Sequence, residues 1–297
     1  MSFFQTLTFI NQHALAKRHR LSAITRFFKW QFSQRLNPGP VVYPFIAGTK
    51  LWVQKGMTGA TGNIYTGLHD FEDMCFLLHF LRPVDLFIDI GANIGSYTVL
   101  AAGVAGADCI SIEPVPQTFE FLKKNISVNQ LYNKVTPLNI GVGSEKGVLT
   151  FTKDLDTVNH VIPDSNHAAA DQRVEVPCES LDVVLTGKQI PLLIKIDVEG
   201  FEQEVINGAR QLLDDPALKA IIIELNGSGV RYGYEESDIH QQLIDSGFRI
   251  YQYVPFTREL RAMEGFGNLN TIYLKDLPFV RERLITANPV EVFSEKI

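Results

Sequence analysis

Residues 87–95, Phe-Ile-Asp-Ile-Gly-Ala-Asn-Ile-Gly, set a carboxylate two positions ahead of a glycine turn. Glu113 closes a second apolar run 18 residues after Gly95. Strand, glycine turn, helix and a second strand ending in an acid is the layout that holds a ribose-bearing cofactor at the carboxyl edge of a parallel sheet. Gly91 and Gly95 are spaced G-x-x-x-G, whereas a dinucleotide loop is normally G-x-G-x-x-G so that its backbone can approach a pyrophosphate. Asp89 at this point would repel a pyrophosphate and attract a cation such as an amino-acid ammonium. Glu113 stands where an acid accepts hydrogen bonds from ribose hydroxyls. A cofactor with a ribose, an ammonium and no phosphate is S-adenosylmethionine.

A second constellation is Leu-Leu-Ile-Lys-Ile-Asp-Val-Glu-Gly over 192–200. With a period of two, Lys195 and Asp197 share one strand face and Glu199 would follow if the strand continued. A Lys inside a buried strand requires a partner. Glu224 and Asn226 share a face on the next apolar run. Three charges at the carboxyl end of a strand suit the rim of a pocket, where a positioned carboxylate can act as a general base. The candidate bases are Asp197, Glu199 and Glu224, with His160 and His167 on an inserted loop as outside candidates. No metal is required, although Asp197, Glu224 and Asn226 are oxygen ligands that would suit Mg²⁺.

These residues need a scaffold. Strands are expected at Leu86–Ile90, Cys109–Ile112, Val135–Ile140, Leu192–Asp197, Ala220–Leu225, Arg249–Val254 and Asn270–Leu274. Helices are expected at Asp70–Leu81, Gly95–Gly103, Pro116–Asn129, Phe201–Leu213 and Ser237–Ser246. Repeated βαβ units with continuously apolar strands indicate a mostly parallel sheet with helices on both faces. The last two strands follow one another without a helix and are expected to be antiparallel. Ahead of them, residues 3–36 read as a helical arm, Val41–Val53 as a hairpin and Lys55–Gly67 as a Gly/Thr-rich loop. The segment 147–185 reads as an insertion, with β-type runs Val148–Phe151 and Val174–Pro177 around a polar loop. Domain boundaries are therefore drawn as an arm and hairpin over 1–69 and an α/β domain over 70–297. Ser180 and Asp182 fit helix capping rather than catalysis.

Composition, at 45% hydrophobic and 20% charged residues, is that of a globular protein. No apolar run reaches the ~20 residues of a membrane span, and the amino terminus lacks the marks of a signal peptide. Cys75, Cys109 and Cys178 form neither a zinc spacing nor a disulfide framework and are expected as free thiols in the cytoplasm. The net charge of −6 conceals an asymmetry: residues 1–69 hold eight Lys and Arg and no Asp or Glu, leaving 19 cations against 33 carboxylates in the remainder. Residues 1–36 could contact an anionic membrane surface at the inner face of a membrane, or a neighbouring subunit, or dock on their own acidic body. Nucleic acid is not expected, because no aromatic stacking module accompanies the cations.

The strings FIDIGANIGSYT, SIEPVPQTFEFLKKN, ESLDVVL and LIKIDVEGFEQEVINGA, in this order, resemble the FkbM family of S-adenosylmethionine-dependent methyltransferases over roughly Asp70–Lys275. The resemblance implies a class I methyltransferase (Rossmann-like) fold with a seven-stranded sheet. It also implies O-methylation of a sugar, glycan or secondary-metabolite hydroxyl. Carried over by position, Asp89, Gly91, Ala92, Asn93 and Gly95 would surround the methionine part. Glu113 and Pro114 would lie at the ribose, and Asn139, Ile140 and Gly141 by the adenine. Asp197 and Glu199 would sit near the methyl group. Two other classes stay open at this point: an NAD-dependent oxidoreductase, and a non-catalytic binding protein on the same fold.

Overall fold

The computed structural model describes residues 3–152, 159–162, 173–267 and 269–297. Its centre is an eight-stranded sheet: β1 Leu86–Ile90, β2 Asp108–Ile112, β3 Val135–Leu138, β4 Leu193–Ile196, β5 Ala220–Glu224, β6 Arg249–Val254, β7 Glu259–Ala262 and β8 Asn270–Leu274. The spatial order is β7-β6-β8-β5-β4-β1-β2-β3. Strands β1 to β5 are parallel. β8 runs antiparallel between β5 and β6, as the missing connecting helix implies. The order reverses between β1 and β4, which opens a crevice at their carboxyl ends. This is the class I methyltransferase arrangement with one strand added to the expected seven. The extra strand, β7, is Glu-Leu-Arg-Ala at the sheet edge, with every residue exposed except the half-buried Leu260. It pairs antiparallel with β6, packs only Leu260 against the core and carries no hydrophobic alternation for a sequence reading to detect.

Every residue of β1 and β4 is buried, which is why these strands read as unbroken apolar runs. Each face of the sheet has its own core. Ile88, Ile194 and Ile221 face one core with Val205, Leu212 and Leu243. Phe87, Leu193 and Ile222 face the other with Phe76, Leu100 and Val280. That second core also takes in Ile10, Leu15, Ala23 and Phe27, so the boundary drawn at residue 69 does not separate two cores.

The arm is three helices, Phe3–Gln12, Ala14–Arg18 and Arg20–Leu36. At the first break, the His13 Nδ1 accepts from the Ala16 N–H at 3.2 Å and its Nε2 donates to the Leu68 carbonyl at 2.7 Å. Burial lowers its pKa to about 4, so this is a neutral structural histidine. Two expectations about local structure change. Residues 55–67 are not a loop, because Thr58–Thr66 is helical. Glycine and threonine are weak helix formers, but Ala60, Ile64 and Tyr65 are buried and tertiary packing outweighs propensity. The single helix expected over 201–213 is two, Glu202–Asn207 and Arg210–Asp214. Gly208 sits at the break, against the Gly143 carbonyl, where a Cβ would lie 2.0 Å from the oxygen. The insertion forms a small sheet of Gly141–Val142, Gly147–Thr152 and Arg173–Glu179. His167 and most of the loop between its strands lie outside the described residues.

Candidate active site

Register places the charged residues before any side chain is considered. In the ladder Asp89 stands beside Lys195 on one side and Ser111 on the other, and Glu224 pairs with Asn270. At the end of β1 the chain turns through Gly91, with φ +75°, where a Cβ would lie 1.8 Å from the Asp197 carbonyl oxygen. Only glycine allows the turn after β1 and the end of β4 to approach so closely. Two non-glycine residues in the left-handed region, Asn93 (φ 51°) and Glu199 (φ 55°), flank the same crevice. Such backbone persists only where the surroundings over-determine it. Glu202 supplies part of that constraint, since its Oε1 accepts from the Val198 and Gly200 N–H groups at 3.1 and 3.2 Å.

A cavity of about 270 Å³ occupies the crevice, lined by Asp89, Gly91, Ala92, Asn93, Glu113, Lys195, Asp197, Glu199 and Glu224 among others. Asp89 is 1% exposed. Its Oδ2 accepts from Thr98 Oγ1 at 2.7 Å, and its Oδ1 is buried with no partner among the described residues. Burial raises its pKa and Lys195 opposes the shift. Glu113 is held by the Asn93 and Val115 N–H groups, each at 2.9 Å. Burial pushes its pKa up to about 7 despite those donors. Gly95 lies outside the cavity lining and begins the helix Ser96–Val99.

Lys195, 3% exposed, donates to Asp197 Oδ2 at 2.8 Å and lies 4.8 Å from the centroid of the Tyr97 ring. Burial pulls its pKa down, but Asp197 and Asp89 outweigh burial and hold it above the ordinary value. One carboxylate oxygen each of Asp197, Glu199 and Glu224 lies within 4.8 Å of the others. Burial, then Asp197, raises both of the other two, Glu199 to about 7 and Glu224 to about 9. Glu224 Oε2 is buried without a partner among the described residues. The cluster attracts positive charge and holds protons near neutral pH.

Two further concavities adjoin this one. An apolar slot of about 40 Å³, lined by Pro114, Ile140, Gly141, Phe151 and Phe201, shares Gly91 and Glu113 with the cavity. A groove of about 570 Å³ shares His69, Asp70, Glu224 and Asn270 with it, and is walled by Phe9, Gln12, His13 and Lys17 of the arm and by Tyr251 and Met263.

Several candidates sit differently from the sequence reading. Asn139 lines neither the cavity nor the slot; its Nδ2 donates to the Glu113 and Pro114 carbonyls, each at 2.8 Å. Asn226 is turned to its own loop, where its Oδ1 accepts from the Ser228 N–H at 2.9 Å. Glu199, and not Asn226, lines the cavity with Asp197 and Glu224. Among the described loop residues Asn159, not His160, lines the cavity. Asp182 accepts from the Gln211 and Leu212 N–H groups, each at 3.0 Å, in a capping role. The sequence reading missed His69, which lines both cavity and groove, stacks 4.8 Å from the Phe9 ring and lies 3.8 Å from Asp70. A His-Asp pair opening the first acidic stretch of the chain was the available signal.

The raised carboxyls make stability depend on pH. Asp73, Glu113, Glu199 and Glu202 are raised to about 7 and Glu224 to about 9, burial being the largest cause for each. Folding thus favours their protonated forms. The stabilisation is complete below the ordinary carboxylate range and is lost as pH rises through 7 to 9. The cofactor-free protein should melt about 5 °C lower at pH 9 than at pH 6. Differential scanning fluorimetry across that range tests this, and a flat or rising trend would contradict it.

A family model described as the methyltransferase FkbM domain matches residues 89–250, more than half of the chain. The methyltransferase sdnD of Sordaria araneosa is 26% identical over 211 residues, covering 61% of this chain and 80% of that protein. The 31-O-demethyl-FK506 methyltransferase FkbM of Streptomyces tacrolimicus is 28% identical over 191 residues, covering 52% and 72%. The hexuronic acid methyltransferase AglP of Haloferax volcanii is 24% identical over 172 residues, covering 57% and 66%. The solved structure of a methyltransferase FkbM from Methylobacillus flagellatus KT aligns with a TM-score of 0.45 at 14% identity. That alignment covers 72% of this chain and only 52% of the solved one. The family match begins at Asp89 itself and runs through the glycine turn, Glu113 and the KIDVEG strand to β6. The protein is a methyltransferase, and the chain belongs to the FkbM family.

Proposed function

We propose that the protein transfers a methyl group from S-adenosylmethionine to a hydroxyl of a sugar, a glycan or a secondary metabolite. The observation that carries this reading is the buried, unpartnered Asp89 Oδ1 at a cavity that joins an apolar slot at Glu113. A buried carboxylate oxygen without a donor is costly, and an ammonium would satisfy it. Glu113, anchored by two backbone N–H groups, keeps lone pairs for ribose hydroxyls. The slot between Ile140, Gly141 and Phe201 suits a flat, weakly polar ring. When bound, the cofactor supplies an electrophilic methyl on a sulfonium.

The chain's own task is then to deliver an oxygen and remove its proton. Glu224, at the junction of cavity and groove, is placed to receive that proton. The neighbouring Asp197 and Glu199 carboxyls, after burial, raise its affinity for a proton, and Lys195 donates a hydrogen bond to Asp197. Tyr251, Phe71 and the arm residue Phe9 line a groove broad enough for a ring-bearing acceptor. The names of two relatives, a hexuronic acid methyltransferase and a 31-O-demethyl-FK506 methyltransferase, support a hydroxyl acceptor on a sugar or secondary metabolite.

S-Adenosylhomocysteine is expected to raise the melting temperature by several degrees at about 100 Kd, corresponding to about 2.7 kcal/mol. NAD is expected to leave it unchanged. Stabilisation by NAD and not by S-adenosylhomocysteine would remove the reading. A mass-shift screen over nucleotide sugars, glycans and polyketides with the methyl donor identifies the acceptor.

A further inference from the structure

The outer face of the arm presents a surface that the methyltransferase site does not use. In the helix Arg20–Leu36, Ala23, Phe27, Trp30 and Gln34 are buried against the body. On the opposite side Leu21, Phe28, Phe32 and Leu36 are 82, 51, 65 and 72% exposed. At 3.6 residues per turn these four fall within an arc of about 80°. Phe3 and Phe4 of the first helix, 50 and 79% exposed, extend the stripe, and the Phe3 ring lies 6.3 Å from that of Phe28. A helix apolar on both faces gains nothing in water from the outer one.

Charge identifies what would cover it. Lys29 flanks the stripe on one side and Arg35 on the other, with Arg20 at its start, all exposed. Among the described residues none of the three has a carboxylate within 4.0 Å. The arm cations that fasten the arm to its own body are different ones. Arg18 and His19 share Glu295, and Arg26 donates to the Tyr65 carbonyl and stacks on Phe293. A two-fold contact between copies of this face would set cationic rims against each other with no arm carboxylate to pair them. The rest of the chain is strongly acidic and would be repelled by a negative surface, so this face alone would be drawn to one.

We infer that the outer face of the arm, through Phe3, Phe4, Phe28 and Phe32 with Lys29 and Arg35, docks the protein on an anionic lipid bilayer. The mode is interfacial, with the apolar stripe in the headgroup boundary and the cations among the lipid phosphates. No helix among the described residues is long and apolar enough to cross a membrane. Phe9 and His13 of the same arm wall the groove, so docking ties the element that forms one groove wall to the membrane surface. A hydroxyl carried on a lipid anchor could enter from there.

The test is sedimentation of the full-length protein with phosphatidylcholine vesicles, with and without about one third phosphatidylglycerol, at about 0.1 and 0.5 M salt. Binding to the anionic vesicles is expected, at least about tenfold weaker at high salt or on neutral vesicles. The pair Phe28→Ser and Phe32→Ser, and separately Lys29→Glu with Arg35→Glu, should each weaken it at least about tenfold. Melting temperature and S-adenosylhomocysteine binding should be unchanged in both. Absence of binding by the parent chain would overturn the inference. So would salt-insensitive binding to both vesicle types, or a dimer by light scattering that the Phe28→Ser and Phe32→Ser pair disperses.

Discussion

Glu224→Gln should lower kcat by about 10²–10⁴-fold, the usual contribution of a positioned general base, with little change in S-adenosylhomocysteine affinity. The side chain lines both the cavity and the groove, so it reaches the point where an acceptor hydroxyl enters. Its carboxyl is raised to about 9 and that of Glu199 to about 7 by burial and neighbouring carboxylates. A raised carboxyl is a stronger base once ionised but is mostly protonated at neutral pH. Activity of the parent enzyme should therefore climb with pH between about 7 and 9. A sulfonium nearby favours the carboxylate and moves this limb toward the lower end. The limb should vanish in the Glu224→Gln enzyme. Glutamine keeps the shape, and Oε2 has no partner to lose, so folding is spared. If Glu199→Gln cost more activity and Glu224→Gln retained the rising limb, the proton acceptor would be Glu199.

Asp89→Asn should weaken S-adenosylhomocysteine binding by about 10–150-fold, the worth of a charge-assisted hydrogen bond at 1.5–3 kcal/mol. The asparagine oxygen still accepts from Thr98, whose hydroxyl also bonds Ser111 at 2.7 Å. The charge proposed to meet the ammonium is lost, together with one counter-charge to Lys195. Burial raises the Asp89 pKa, so a neutral group at this position relieves a cost in the free protein, and the melting temperature should change little. Isothermal titration at pH 7.5 reads the affinity. Unchanged affinity would show that Asp89 holds the turn through Thr98 and does not meet the cofactor.

Asp89 and the pair Lys195 and Asp197 were legible because a buried strand has period two and its charges stand out against isoleucines. The glycine turn was legible because a positive φ and a close approach admit little else. β7 was not, since an exposed edge strand with a single half-buried Leu260 leaves no alternating pattern to detect. The helix at 58–66 was not, because its glycines and threonines oppose it and distant packing overrides them.

From its residues alone the chain determined a parallel αβ core, acids at the carboxyl ends of two neighbouring strands, one of them two residues ahead of a glycine turn, and a basic arm on an acidic body. Each of these is local, set by a repeat, a spacing or a count. Tertiary structure decided the rest. It put Glu199 rather than Asn226 on the cavity wall with Asp197 and Glu224, placed His69 beside the cavity, and turned the arm into one wall of the groove. Those outcomes depend on loop closures and strand register between segments far apart in sequence. No local pattern of residues specifies them.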